Sequence, residues 1–332
     1  MSNTSSESTE QVFQSLTSAN MSKKRRFRNA AASVAMVGAF LIAAIPLFAM
    51  GASVLSQGLG VVLTVDWWTQ PIPGDVGRAD LAGNEELCDL GFGDASECEA
   101  GGSSTSVVEG MQPAIVGTFL TVFGASAMAI PLGILGAVYL HEYGKTGRLA
   151  RFIRFMTDVM VGVPSVVMGV FIYTIWVLNF GTNGKSAFAA SLALGCLMLP
   201  IVVRSTEEML KLVPNALREA SAALGTRTWK TTLKVVLPAA SAGITSGCLL
   251  AVARAAGETA PVVFTIGYVT TTNFSMRGQN TTLSAQIYSQ LTNGGSIATQ
   301  LAWGAAVTLV GIVLVLTLTA RAISSRLTIG ST

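Results

Sequence analysis

Charge is what this sequence has least of. Only 12% of its 332 residues are Asp, Glu, Lys or Arg, about half the share in ordinary soluble domains, while 51% are apolar. A chain this poor in charge reads as a membrane protein with several spans. Histidine occurs once, as His141 at a helix end, where a structural or interfacial role outweighs ligation. The four cysteines show neither CxxC nor Cys/His spacing, so no metal site is expected. Nucleotide loops are missing too. Walker A needs a glycine five residues before its second one, but Asn179 precedes Gly184-Lys185-Ser186 and Tyr139 precedes Gly144-Lys145-Thr146 at that distance. With no nucleophile and base in a recognisable pattern, the chain reads as a non-enzyme. Any ATP energy must then come from a separate subunit.

What is present is a series of apolar runs with charge sorted between them. Residues 1–20 are polar with few apolar anchors, a composition that cannot offset its ordering entropy, so a disordered tail is expected. Lys23, Lys24, Arg25, Arg26 and Arg28 precede an apolar run over about 30–55, too long for a signal-peptide core; 21–56 therefore reads as a retained first transmembrane helix. Met21 is a second possible start. The stretch 57–110 reverses character, with ten acids against one base, Arg78, and belongs outside the membrane. Trp67 and Trp68 suit the interface. Cys88 and Cys98 lie in that acidic loop, where a disulfide could persist and would constrain the unfolded loop by roughly 3 kcal/mol; bridged and free forms both stay open. Cys196 and Cys248 read as small packing residues inside apolar helices.

The remaining core, 111–326, reads as five more spans, followed by a short tail at 327–332. After a span over 111–140, Leu149, Phe152, Ile153 and Met156 recur at helical spacing with Arg148, Arg151 and Arg154 opposite, predicting an amphipathic helix along the membrane face. The run 159–180 carries GVPSVVMG, whose Gly162 and Pro164 predict a kink with close helix contact. A span over 186–203, a polar loop over 204–237, an interrupted span over 239–269 and a last span over 298–320 follow. Counting Lys and Arg by side places 17 inside and 3 outside, with Arg254 within the bilayer. Six spans with both termini cytoplasmic satisfy the positive-inside rule, and topology alone accounts for the basic residues without nucleic-acid binding.

Two stretches stand out. The first, EASAALGTRTWKTTLKVVLP over 219–238, reads as two short helices broken at Gly225, with Pro214 suited to a first helical turn. Its spacing resembles the EAA loop of ABC-importer permeases: Glu219, Ala220, Gly225, Leu237 and Pro238 fall in place, while Ser221 and Val235 depart conservatively. The resemblance implies that this cytoplasmic hairpin is a coupling helix on which an ATPase docks.

The second is the interrupted span. Arg254 and Glu258 lie four residues apart on one helix face inside an apolar segment, where an unpaired charge costs at least a few kcal/mol. They are either an anion site on a translocation path or a self-satisfied ion pair near the interface. Gly257 and Pro261 break the same span. Over 253–267, ARAAGETAPVVFTIG resembles the signature of PstA-type phosphate permeases, whose matching Arg and Glu are associated with the path. The resemblance implies an all-α membrane protein of six transmembrane helices with the type I ABC-importer permease fold, in the cell membrane. It implies a PstC-type permease, a dimer of PstB-type ATPases carrying ATP and Mg, and a PstS-type phosphate-binding protein as partners, with no cofactor in this chain. A permease for sulfate or molybdate is the nearest alternative. An ion-coupled secondary transporter would need a matching broken helix in an inverted half, which the sequence lacks. A purely structural or sensory membrane protein would leave both stretches unexplained.

Overall fold

The computed structural model describes residues 23–72, 110–144, 147–181, 184–293 and 296–329. The tail at 1–20 and the loop segment with Cys88 and Cys98 lie outside the described residues. Regular structure among the described residues is entirely helical. Among the described residues five helices are long and apolar enough to cross a bilayer: α1 (Lys23–Val62), α3 (Gln112–Gly144), α6 (Ala187–Leu212), α8 (Thr228–Ala256) and α11 (Ser296–Ile329). The bent pair α4 (Arg148–Gly162) and α5 (Ser165–Phe180) is apolar enough to be a sixth when taken as one span. Shorter helices are α2 (Val65–Thr69), α7 (Asn215–Ala223), α9 (Ala260–Thr265) and α10 (Leu283–Asn293). The chain divides at Ser56 and Gln57 into two compact units. The first holds most of α1; the second holds the helical core.

Within the second unit, α3 and α6 pack most intimately, and small residues make this possible. A Cβ on Gly133 of α3 would stand 2.6 Å from Val202 Cγ1 of α6, and Ala125, Ala129 and Ala190 are fully or almost fully buried between them. Backbones that approach closely gain dispersion contacts, the attraction left to helices when lipid is as apolar as their side chains. Ser191 Oγ adds a hydrogen bond across the seam to Thr121 O at 3.0 Å and keeps one to Ala187 O at 2.8 Å. On the far flank of α6, Gly247 of α8 faces Ser205, with its would-be Cβ 2.6 Å from Ser205 Oγ. Helix α6 starts at Ser186, whose side chain accepts from Ala189 N at 3.2 Å. It runs on to Leu212, so the first part of the expected polar loop is helix, stopped at Val213-Pro214.

Two local expectations change. Trp67 does not turn its indole outward: it is fully buried, its indole N–H donates to Thr308 Oγ1 at 2.9 Å, and Gly304 makes room for its ring. Trp68 is the half-exposed one and bonds Val62 O at 3.0 Å. In α4 the amphipathic helix forms: Leu149 and Phe152 keep an exposed apolar face, while Ala150 and Thr157 are buried and the Arg154 guanidinium reaches Glu207 of α6 at 3.1 Å. The second concerns GVPSVVMG. Its proline turns the chain through 105° between α4 and α5, a break rather than a kink. Gly162 has open space around it; the close contact belongs to Gly169, where a Cβ would meet Pro261 Cα at 2.6 Å.

Replacing Gly169 by Ala is expected to destabilise the protein by about 1–3 kcal/mol through overpacking against α9. Gly162→Ala is expected to change stability by no more than about 0.5 kcal/mol. Thermal melts in lipid nanodiscs compare the two; equal melting temperatures would remove the contact from the account of the fold.

Candidate functional site

The hairpin is built from α7 and the first turns of α8. Helix α7 ends at Leu224, and Gly225 follows at φ 74°, a left-handed conformation that costs other residues about 1–2 kcal/mol. Glu219, Ala220, Gly225 and Pro238 are exposed, and Leu237 is half-buried. The second arm is not a separate short helix. It is the start of α8, which runs unbroken from Thr228 to Ala256, past Pro238. A π turn over Thr232–Val236, separated from Pro238 by Leu237 alone, widens the helix where the proline has no N–H to give.

Ser221, which departs from the EAA pattern, proves to be the fastening of the two arms. Its hydroxyl lies 2.6 Å from Thr226 Oγ1 and 2.8 Å from Thr231 Oγ1, those two are 3.0 Å apart, and Thr226 Oγ1 also donates to Ser221 O at 2.7 Å. Ser221 and Thr231 are buried. An alanine there would leave two hydroxyls short of a partner. Spacing alone did not reveal this knot, although hydroxyls at five-residue intervals across a glycine turn are its trace.

A second cluster, unforeseen from the sequence, lies beside the hairpin. Arg218 projects from α7 between exposed neighbours and reaches Glu142 at the end of α3, Nη2 to Oε1 2.9 Å and Nε to Oε1 3.2 Å. Its guanidinium also donates to Leu210 O at 3.0 Å and Val213 O at 2.8 Å, capping the C-terminus of α6. His141 Nε2 sits 3.3 Å from Arg218 Nη2, a structural position at the helix end. Nearby, Arg154 donates to Leu140 O at 2.8 Å and pairs with Glu207, which Lys211 also approaches at 3.4 Å. These charges lie at the ends of apolar runs, where sequence reading had assigned basic residues to topology alone.

At the other end of α8, Arg254 and Glu258 come together, Nε to Oε1 3.6 Å. The Arg254 side chain is 69% exposed and that of Glu258 22%, so one face of the guanidinium is open. The helix stops here for a reason that lies mainly in Pro261. Its ring would collide with the carbonyl of Gly257 and it has no N–H to offer, so the α ladder cannot continue through 257–261. Gly257 has φ −90° and no crowding, so the break does not require a glycine there. Ser284 Oγ of α10 donates to the freed Glu258 carbonyl at 3.1 Å. Thus Arg254, Glu258, Gly257 and Pro261 form one local group, while Glu219, Ala220 and Gly225 lie roughly 39 Å of helix away along α8.

A crossing helix broken at a charged pair, rooted in a protruding hairpin at its other end, is the anatomy of a transport permease. Residues 129–329 match the family model described as binding-protein-dependent transport system inner membrane component. Chains of solved ABC transporters share the fold: one of the inward-facing MetNI methionine ABC transporter (TM-score 0.51, 20% identity, covering 64% of this chain and 91% of that one) and one of a bacterial ABC transporter involved in the import of the acidic polysaccharide alginate (TM-score 0.53, 14% identity, 91% and 99%). More specifically, the chain is 41% identical over 291 residues to the phosphate transport system permease protein PstA of Mycobacterium leprae, covering 87% of this chain and 86% of that one. It is 40% identical over 301 residues to PstA 1 of Mycobacterium tuberculosis H37Rv (90% and 88%) and 39% identical over 212 residues to PstA of Pasteurella multocida (64% and 75%). The chain belongs to the PstA family of binding-protein-dependent inner-membrane permeases, and is a multi-pass membrane transport protein.

Ser221→Ala is expected to loosen the hairpin by about 1 kcal/mol, the net worth of a hydrogen bond. Hydrogen–deuterium exchange should speed up over residues 215–231 and stay constant in α11. Unchanged exchange in the hairpin would remove the knot's role.

Proposed function

We propose that this chain is one of two permease subunits of an ATP-driven importer of inorganic phosphate. The observation that carries the reading is the continuity of α8, which begins in the exposed hairpin and ends at the Arg254–Glu258 pair. The PstA relatives supply the substrate. A PstC-type permease completes the translocation path, and a PstS-type protein delivers phosphate from outside. A PstB-type ATPase dimer, which brings ATP and Mg, docks on the cytoplasmic hairpin. That hairpin presents Glu219 and Ala220 together with Leu224, 83% exposed, half-exposed Trp229 and the exposed bases Arg227 and Lys230, a mixed apolar and charged surface suited to a protein partner. Both termini then lie in the cytoplasm.

In this mechanism, ATP-driven closure displaces the hairpin and α8 carries the displacement to the break. Arg254 suits a phosphate oxyanion because its guanidinium stays charged and offers paired donors. Glu258, already within reach of that guanidinium, competes for it. The anion therefore exchanges with a built-in carboxylate rather than binding to a free cation, which keeps binding weak enough for release. Closing the break alters the Arg254–Glu258 separation, and with it the affinity of the path.

Vesicles containing this chain with its PstC-, PstB- and PstS-type partners are expected to take up labelled phosphate only with ATP. Arg254→Gln should reduce uptake at least about tenfold, as truncating a charged hydrogen-bonding partner does, while the complex still assembles and hydrolyses ATP. Uptake by this chain alone without ATP would overturn the reading. Preference for labelled sulfate or molybdate would keep the class and change the cargo.

A further inference from the structure

Helix α8 is joined to the hairpin covalently, but α3 is not, and α3 is the helix most closely packed on α6. What ties α7 to the rest of the core is polar. Among the side chains of α7, Leu217 is 42% exposed and Ser221 is the buried one, so apolar packing holds α7 only weakly. Two fastenings do the holding. The Ser221 knot binds α7 to α8, and the Arg218 guanidinium binds α7 to the carboxylate of Glu142 on α3 and to the carbonyls of Leu210 and Val213 at the end of α6. The carboxylate is 8% exposed and Arg218 19%. A carboxylate so covered cannot cheaply lose its partner, so the two groups must move together or the pair must break.

We propose that the Arg218–Glu142 pair is a second, non-covalent coupling link, which passes displacement of α7 to α3 and so to the α3–α6 pair, in parallel with α8. Arg218 and Glu142 are positioning residues: they act on the path through α3 and α6 and meet neither ATP nor phosphate. This rests on the chain's being an ATP-driven permease. In such a machine, α8 alone would move one wall of the path, whereas the ion pair lets the same hairpin shift two helices at once. Arg218 faces inward while its neighbour Glu219 faces out, so a single turn of α7 holds both the surface offered to a partner and the link that transmits its motion.

The test uses the assembled four-component complex in vesicles and reads phosphate transported per ATP hydrolysed. Arg218→Met and Glu142→Gln should each lower that ratio at least about tenfold, the scale of losing one partner of a buried charge pair, with ATP hydrolysis retained. The double variant should be no worse than either single one, because the two residues act as one unit. Arg218→Lys, which keeps the charge but not the paired donors, should recover much of the ratio. Wild-type ratios in the Met and Gln variants would overturn the proposal. So would hydrolysis and transport falling in parallel, or failure of both variants to assemble, since either outcome assigns the pair to structure alone. Absence of ATP-driven uptake by the wild-type complex would instead refute the importer reading on which the proposal stands.

Discussion

Pro261 can neither donate a backbone hydrogen bond nor share space with the carbonyl four residues before it, and the architecture of the candidate site follows from that. In a bilayer, backbone groups freed by a break must find partners within the protein. Ser284 of α10 supplies one at Glu258, and the α9 turn is pressed so closely onto α5 that only a glycine fits at 169. The break therefore does three things at once. It ends α8 beside Arg254, brings Glu258 back over that guanidinium, and docks the turned segment onto the span that follows the 105° bend.

The opposite end of the molecule solves a different problem. A hairpin that leaves most of its surface exposed buries little apolar area, so hydrophobic burial contributes little to holding it. Hydroxyls and charges take over. The three-hydroxyl knot closes the arms on each other, and Arg218 and Arg154 grip the last turn of α3 from two different elements. Between the two ends, small residues let α3, α6 and α8 approach closely enough for dispersion to act over long seams.

Much of this was legible in the residues. Length and apolarity of the runs located the crossings, and the spacing of Glu219, Ala220, Gly225, Leu237 and Pro238 marked the hairpin. The charged pair was visible because Arg254 and Glu258 interrupt an otherwise apolar span at helical spacing. Pairings between distant segments were not visible. Glu142 and Arg218 are 76 residues apart, and each looks like an ordinary charge at the end of a run. Trp67 looked interfacial because indoles favour that zone, yet the gap beside Gly304 and the hydroxyl of Thr308 took it inside. Gly162 and Gly169 are alike in a sequence; only the neighbour opposite tells them apart.

By itself, the sequence determined that the chain crosses a membrane as helices, where the hairpin lies, and which span is broken. Those properties depend on local periodicity, on proline's missing donor and on the sorting of charge, all of which are carried by neighbouring residues. The tertiary structure alone decided which glycines are contacts, that α6 and α8 extend into the expected loop, and that Ser221 and Arg218 fasten the hairpin. Those outcomes turn on what stands opposite a side chain, and in a bundle the opposite residue comes from a distant part of the chain, brought there by packing that no local pattern encodes.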